Sequence, residues 1–464
     1  MKEKPVGVYI ILFLPWLLSV LFNPFPVTSY FLAWLGSFFI FYLTLTGTLK
    51  PLPTDRRISS QLMRPIFLAQ IIFAGFMCTT SIFYLLHTLG YEDFKKVNDY
   101  FLVDEQKLKY VAQCQRYYCL AHASFVSGIL IFMRYPVVQQ YRVHNDKLPN
   151  LLFVFAIATL PVSTLFNFIP GLSQFYYQLS SLSFIAGTLA LAYAIPLQKV
   201  TNTVICFVLY FFNFYQALVS GFKEPIIISV LVLGVFLYPT YKRAVTFTFL
   251  PLLFALFMLL PTYNRVFRQS NWAEGTSSDE ASKLALQAVM DGSGDSNWEF
   301  FVYRLSEIEM FTLFAKSTPD KIGYYGLKLV KQSFIAIVPR VVWPSKPVTE
   351  DLIMERVYDA NVIYRGSEVS AKPAFIVDAY LSGGALGIFI CLFLYGAAAQ
   401  LISIKAEELF GGYVLGSALI FTGLFQILWR GLSFEFLINS VFWSYITMLI
   451  IFKIFRLRKV LEEV

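Results

Sequence analysis

The chain has 464 residues and a formal net charge of +8; 57% of its residues are hydrophobic, 14% are charged, and the mean hydropathy is +0.62. A soluble chain of this length carries about a quarter charged residues, so the composition excludes an ordinary soluble globular protein and defines an integral membrane protein. In such a chain excess cations belong to cytoplasmic loops and anionic headgroups rather than to nucleic acid.

A membrane-crossing helix needs roughly 20 apolar residues. Twelve runs are read as spans: 5–22, 29–48, 65–86, 117–133, 151–168, 175–196, 203–220, 225–240, 245–261, 376–398, 411–429 and 436–455. The first has no small-residue cleavage site after it and leads into the second, so it reads as a span rather than a removed signal. The expected fold is therefore all-α and polytopic: spans one to nine over 1–261, a large outward loop over 262–375, and spans ten to twelve with a tail over 376–464. Cations in short loops set orientation, while long segments cross regardless of charge. An inside N-terminus puts Arg56, Arg57, Arg64, Arg134, Arg142, Lys242, Arg243, Lys405 and the Lys453–Lys459 group inside, and leaves only Lys223 and Arg430 in short outer loops. Both termini are thus expected in the cytoplasm, with segments 88–116 and 262–375 outside.

Segment 88–116, of mixed charge, reads as an amphipathic interfacial helix. In the longer segment, a short helix is expected around Ala281–Met290. The run NWEFFVYRLSEIEMFTLFAKS places Phe300, Arg304, Glu307 and Phe311 on one helical face, with Arg304 and Glu307 one turn apart as an ion pair. KIGYYGLKLVKQSFIAIVPR reads as an interfacial helix with Leu327, Val330, Phe334 and Ile337 down one side and lysines opposite, ending at Pro339. Cys114 and Cys119 are close in sequence, yet poorly placed for a bridge if they share a helix; the other cysteines read as small buried hydrophobes.

Several chemistries are disfavoured. No Walker loop is present for an ATP-driven pump, and no HExxH or other metal spacing accompanies His87, His122 and His144. His87 and His122 map to the outer ends of spans three and four. The most informative stretch runs from IVPRVVWPSKP to VDAYLSGGALG, residues 337–387, where Pro339, Pro344 and Pro347 shape a loop that carries Arg340, Lys346, Arg356, Arg365 and Lys372. Guanidinium groups at the outer edge of the hydrocarbon suit phosphate, and a lipid-linked diphosphate presents phosphates at that depth; a ring of snorkelling headgroup-binding cations is the plainer alternative. Asp378 opens span ten as either a functional acid or an N-cap, ahead of Gly383, Gly384 and Gly387. Arg430 and Glu435 flank the turn WRGLSFEF and can pair with each other.

PRVVWPSKP, a polar spacer, and DAYLSGGALG at the start of the next span resemble the Wzy-type oligosaccharide repeat-unit polymerases of bacteria, whose members show a PR-x-x-W-P-x-K-P-like stretch and an acid-x-x-x-x-G-x-x-G pattern. Here Asp378 stands where a glutamate is frequent. The resemblance, carried by about 50 residues, implies a glycosyltransferase on the outer face of the cytoplasmic membrane. It moves a glycan from undecaprenyl diphosphate onto a lipid-linked repeat unit, without metal or cofactor. On that reading Arg304, Arg340, Lys346, Arg365 and Arg430 stabilise the leaving diphosphate, and Glu307, Asp378 or Glu435 deprotonates or orients the acceptor hydroxyl. Implied partners are the lipid-linked oligosaccharide, membrane lipids and a chain-length regulator, with no nucleic acid. An O-antigen ligase sharing the fold, or a lipid-linked-glycan flippase, are the alternatives; an internal repeat expected of a transporter is not seen.

Overall fold

The computed structural model describes the chain except residues 1–4, 144–147, 170, 173, 197–199, 220–222, 292–296, 367–370, 413–414, 418, 421–422 and 425–431. After a 3-10 stretch come α1 (Leu14–Leu21) and α2 (Pro26–Leu45). Next, α3 (Leu68–Phe73) runs through a π-helical turn into α4 (Ile82–Thr88), and a hairpin of β1 (Tyr91–Glu92) and β2 (Lys95–Lys96) leads to α5 (Glu105–Phe132). Beyond β3 (Tyr141–Val143) lie α6 (Leu148–Phe168), α7 (Gln174–Ala194), α8 (Val200–Val219), α9 (Lys223–Leu237) and α10 (Lys242–Arg268). The polar region holds α11 (Ser278–Met290), α12 (Trp298–Arg304), α13 (Ile308–Ser317), α14 (Lys328–Ile337) and α15 (Thr349–Asp359). The chain closes with α16 (Phe375–Leu409), α17 (Phe434–Leu457) and β4 (Leu461–Glu463), which pairs antiparallel with β3.

Among the described residues, seven helices are long and apolar enough to cross a membrane: Pro26–Leu45, Leu68–Thr88, Leu148–Phe166, Val200–Val219, Lys242–Asn271, Phe375–Leu409 and Phe434–Leu457. The runs read at 5–22, 175–196 and 225–240 contain shorter apolar helices, Gly7–Leu21, Leu182–Ala194 and Ile226–Leu237. The run at 117–133 is the C-terminal part of α5, and about half of 411–429 lies outside the described residues. Large apolar side chains cover the outward faces: on α10, Phe247 is 79% and Phe254 68% exposed. Facing water these would be unfavourable; facing lipid they are at home, and helices are one of the two structures able to satisfy their own backbone there. The fold is that of a helical integral membrane protein.

Its centre is α5, buried along most of its length against α16. Small residues bring the two backbones together. A Cβ on Gly128 would strike the Phe393 carbonyl, and one on Gly396 would strike the Phe125 carbonyl, the reciprocal close approach of membrane helix pairs. Separate interfacial structure does not form at 105–116: the Asp104 side chain accepts from the Lys107 N–H at 2.9 Å, so α5 starts there. Consequently His122 lies mid-helix and fully buried, with Nε2 3.1 Å from Gln70, rather than at an outer end. All five cysteines are free.

One helix of the 262–375 region also differs from expectation. The run 298–317 is broken, because Leu305 to Glu307 leave the helix and Glu307 takes a left-handed conformation, φ 54°. Arg304 ends α12 while Glu307 precedes α13, so the two do not lie on one continuous helical face. In α14 the inward residues are Leu329, Ser333 and Ala336, while Leu327 and Phe334 point outward.

Candidate functional site

Three helix ends meet at one buried point. Asp378 lies in the first turn of α16 and Glu435 in the first turn of α17, where the positive end of a helix dipole favours a carboxylate. Arg356 lies in the last turn of α15, where the dipole favours a cation, on the buried stripe it shares with Ile353, Met354 and Val357. Its guanidinium donates to both oxygens of Glu435 at 2.8 and 2.8 Å and to Asp378 Oδ2 at 3.0 Å. Asp378 Oδ2 also accepts from the Phe434 N–H at 2.8 Å. Asp378 therefore caps a helix, but the neighbouring one, α17, rather than its own, and Glu435 pairs with Arg356. Arg430 lies outside the described residues.

Exposure is 1% for Arg356 and 0% for both carboxylates. Burial works against the guanidinium charge, yet Asp378 and Glu435 outweigh it and hold the Arg356 pKa above its ordinary value. Among the described residues, two carboxylates face one guanidinium in a buried place. Three polar atoms of the cluster have no hydrogen-bond partner among the described residues: Asp378 Oδ1, Arg356 Nε and the Ser433 hydroxyl. Buried polar groups are satisfied in the great majority of cases, so such orphans call for a functional account.

α16 supports this point by being discontinuous. Gly383 (φ 175°, ψ 36°) and Gly384 (φ 62°, ψ −139°) interrupt it, the second in a region only glycine enters readily. The freed Leu381 carbonyl accepts from the Tyr325 N–H at 2.8 Å, and the Tyr324 hydroxyl sits 2.8 Å from where a Gly384 Cβ would lie. A broken helix with its backbone re-satisfied by a loop is tolerated at membrane depth only where protein surrounds it.

A second arginine–carboxylate cluster serves as an internal control at the other end of α16. Arg64 donates to Glu407 at 2.9 and 3.0 Å, to Asp55 at 2.8 and 2.7 Å, and to Gln61 Oε1 at 2.7 Å, with its guanidinium 3.7 Å from the Tyr135 ring centre. No member has an orphaned polar atom. Its carboxylate Asp55 is held below the ordinary 3.8, first by its hydrogen bond with Arg64. This cluster, with the β3–β4 pair beside it, is a structural clasp; the Asp378 cluster is not saturated in that way.

Lys346, Arg340 and Arg365 have hydrogen-bond or ion-pair partners outside this cluster. Lys346 is buried and donates to the carbonyls of Ala336 at 3.2 Å and Val338 at 2.6 Å, closing the C-terminus of α14; burial, then Arg340, lowers its pKa. Arg340 is half-buried, 3.4 Å from the Pro347 carbonyl. Arg365, 58% exposed, pairs with Glu355 and Asp359 on the outer side of α15. Arg304 is exposed, and Glu307 follows Ser306, whose carbonyl accepts from the Tyr118 hydroxyl at 2.6 Å. His87 Nε2 is 2.9 Å from the Tyr303 hydroxyl. Among the described residues no group of three or more His, Cys, Asp or Glu forms a metal site. Arg356 is the residue that sequence reading passed over as one cation among five. The signal available was its place on the apolar stripe of a short helix, three and four residues from Ile353 and Ala360.

Fold and cluster together define a polytopic helical membrane protein with a buried, incompletely satisfied arginine–dicarboxylate centre. Residues 14–463 match the model of a family described as a domain of unknown function, DUF8712, and the chain belongs to that family. No curated protein and no solved structure matches it.

Proposed function

We propose that the protein is a metal-independent membrane glycosyltransferase that polymerises lipid-linked oligosaccharide repeat units. In this reading the chain crosses the cytoplasmic membrane about twelve times, keeps both termini in the cytoplasm, and turns residues 262–375 outward. The observation that carries it is the Asp378–Arg356–Glu435 centre at the head of DAYLSGGALG, the stretch on which the resemblance to repeat-unit polymerases rests.

The acceptor hydroxyl attacks the first carbon of the donor glycan, the bond from that carbon to the diphosphate oxygen breaks, and undecaprenyl diphosphate departs with the electron pair. The hydroxyl proton passes to a carboxylate. Asp378 suits that part, since Oδ1 is unpartnered while Oδ2 is fixed by Arg356 and the Phe434 N–H. Glu435 is the positioning partner that holds Arg356. Among the loop cations Arg340 is the best placed for the diphosphate, because Lys346 is spent on backbone carbonyls and Arg365 on Glu355 and Asp359.

The test uses purified full-length protein in liposomes with synthetic lipid-linked repeat units and a chelator. A product ladder on a gel that is lost in Asp378→Asn and weakened in Arg340→Ala supports the reading. No ladder from wild type with any repeat unit, while a labelled lipid crosses the bilayer, replaces it with a flippase.

A further inference from the structure

We propose that residues 326–348, α14 with the turn PRVVWPSKP, form a wedge seated in the bilayer surface, its outward apolar side chains among the upper acyl chains and Lys328 and Lys331 on the phosphates of anionic phospholipids. This inference needs only the membrane character of the chain and is independent of glycosyl transfer.

Three observations converge on it. First, the segment wears its larger apolar side chains outside. Leu327 is 71%, Phe334 61%, Val341 54% and Val342 74% exposed, with Trp343 beside them, while the protein-facing side of α14 is Leu329, Ser333 and Ala336. A helix against water would reverse that arrangement; one lying in a membrane interface adopts it.

Second, the charge fits an anionic surface. No Asp or Glu occurs between Asp320 and Glu350, whereas Lys321, Lys328, Lys331, Arg340 and Lys346 all do. Lys328 and Lys331 are exposed on the outward side, and juxtamembrane cations are drawn to anionic headgroups.

Third, neighbouring contacts fix its level. Trp443 of α17, an apolar helix long enough to span, donates Nε1–H to the Ile337 carbonyl at 3.0 Å. The Val341 backbone abuts Gly171, in the connection where α6 ends and α7 begins, and Trp443 packs on Phe175 at the start of α7, ring centres 4.6 Å apart. A chain that reverses between two apolar helices does so at the membrane surface, so the turn lies at that depth, with Trp343 and Trp443 in the aromatic interface layer.

The test places the whole protein in nanodiscs. A Val342→Cys variant with Cys391 replaced by serine, carrying an environment-sensitive fluorophore, is compared with the same probe at Glu355. The wedge predicts that the Val342 probe is quenched by acyl-chain spin labels and shielded from aqueous iodide at least severalfold relative to the Glu355 probe; equal iodide quenching overturns it. Unmodified protein gives an independent reading through a photoactivatable phospholipid. Adducts are expected within 321–348 and enriched with the anionic lipid, falling about fivefold per cation in Lys328→Gln and Lys331→Gln. Adducts on α8 and α10 but none on 321–348 overturn the insertion, and equal labelling by neutral and anionic lipid overturns the phosphate contacts.

Discussion

Replacing Arg356 by methionine keeps most of the side-chain volume while removing the cation that, among the described residues, pairs with both Asp378 and Glu435. Three charge-assisted hydrogen bonds of 2.8, 2.8 and 3.0 Å disappear, and two carboxylates with 0% exposure lose their counter-charge. Breaking one side of a buried ion pair in this way costs about 3–5 kcal/mol, a large fraction of the net stability of a folded protein. The same physics predicts rescue. Asp378→Asn and Glu435→Gln added to Arg356→Met remove the stranded charges, and a neutral cluster of similar volume recovers most of the loss. Arg365→Met is the control, because its partners Glu355 and Asp359 are on the surface and solvent screens such pairs. The assay is unfolding of purified protein followed by tryptophan fluorescence, in heat and in denaturing detergent. If Arg356→Met unfolds with Arg365→Met, or the triple variant is weaker than the single, the buried-cluster account fails.

Other consequences are as direct. Gly384→Ala forces a Cβ into φ 62°, ψ −139°, a strain of about 1–3 kcal/mol; Tyr324→Ala removes the steric neighbour but not the backbone strain, so it restores little thermal stability. Gly396→Ala pushes α16 off α5 at Phe125 and lowers the unfolding temperature more than alanine at Gly323, which has open space. Lys346→Met leaves the Ala336 and Val338 carbonyls without their buried donor and costs roughly 1–3 kcal/mol, read in the same assay. Asp55 has a depressed pKa, so its stabilisation is fully present above its ordinary value of 3.8 and is lost as pH falls below that through the folded value. Wild type minus Asp55→Asn stability is therefore flat from neutral pH down to about 5 and shrinks only in stronger acid; a difference already lost at pH 6 contradicts the assignment.

The membrane class, apolar helices at most of the positions read, the short helix around Ala281–Met290 and the place of Asp378 and Glu435 at the starts of apolar helices were legible in the sequence, because hydropathy and the rarity of charge within apolar runs are local signals. Pairing was not. Glu435 binds Arg356, 79 residues away, and Glu407 binds Arg64, 343 residues away; nothing local encodes which helix ends will meet. The break at Leu305–Glu307 was hidden because the 3.6-residue pattern persists through it, whereas one left-handed residue is enough to turn the chain. The orientation of α14 was hidden for a different reason: periodicity identifies an apolar face, but not whether protein or lipid covers it. Arg356 was overlooked because a cation was read as a surface charge, although its helical neighbours are apolar.

The central claim is tested most directly by measuring undecaprenyl diphosphate released from a lipid-linked glycan donor by purified protein in chelator, with wild type, Asp378→Asn, Glu435→Gln and Asp55→Asn compared at matched folded fraction. Release is expected from wild type and Asp55→Asn, with a fall of at least a hundredfold, about 2.7 kcal/mol in the barrier, in Asp378→Asn. Equal release from wild type and Asp378→Asn would contradict the assignment of the buried centre, and no release from wild type would contradict glycosyl transfer itself.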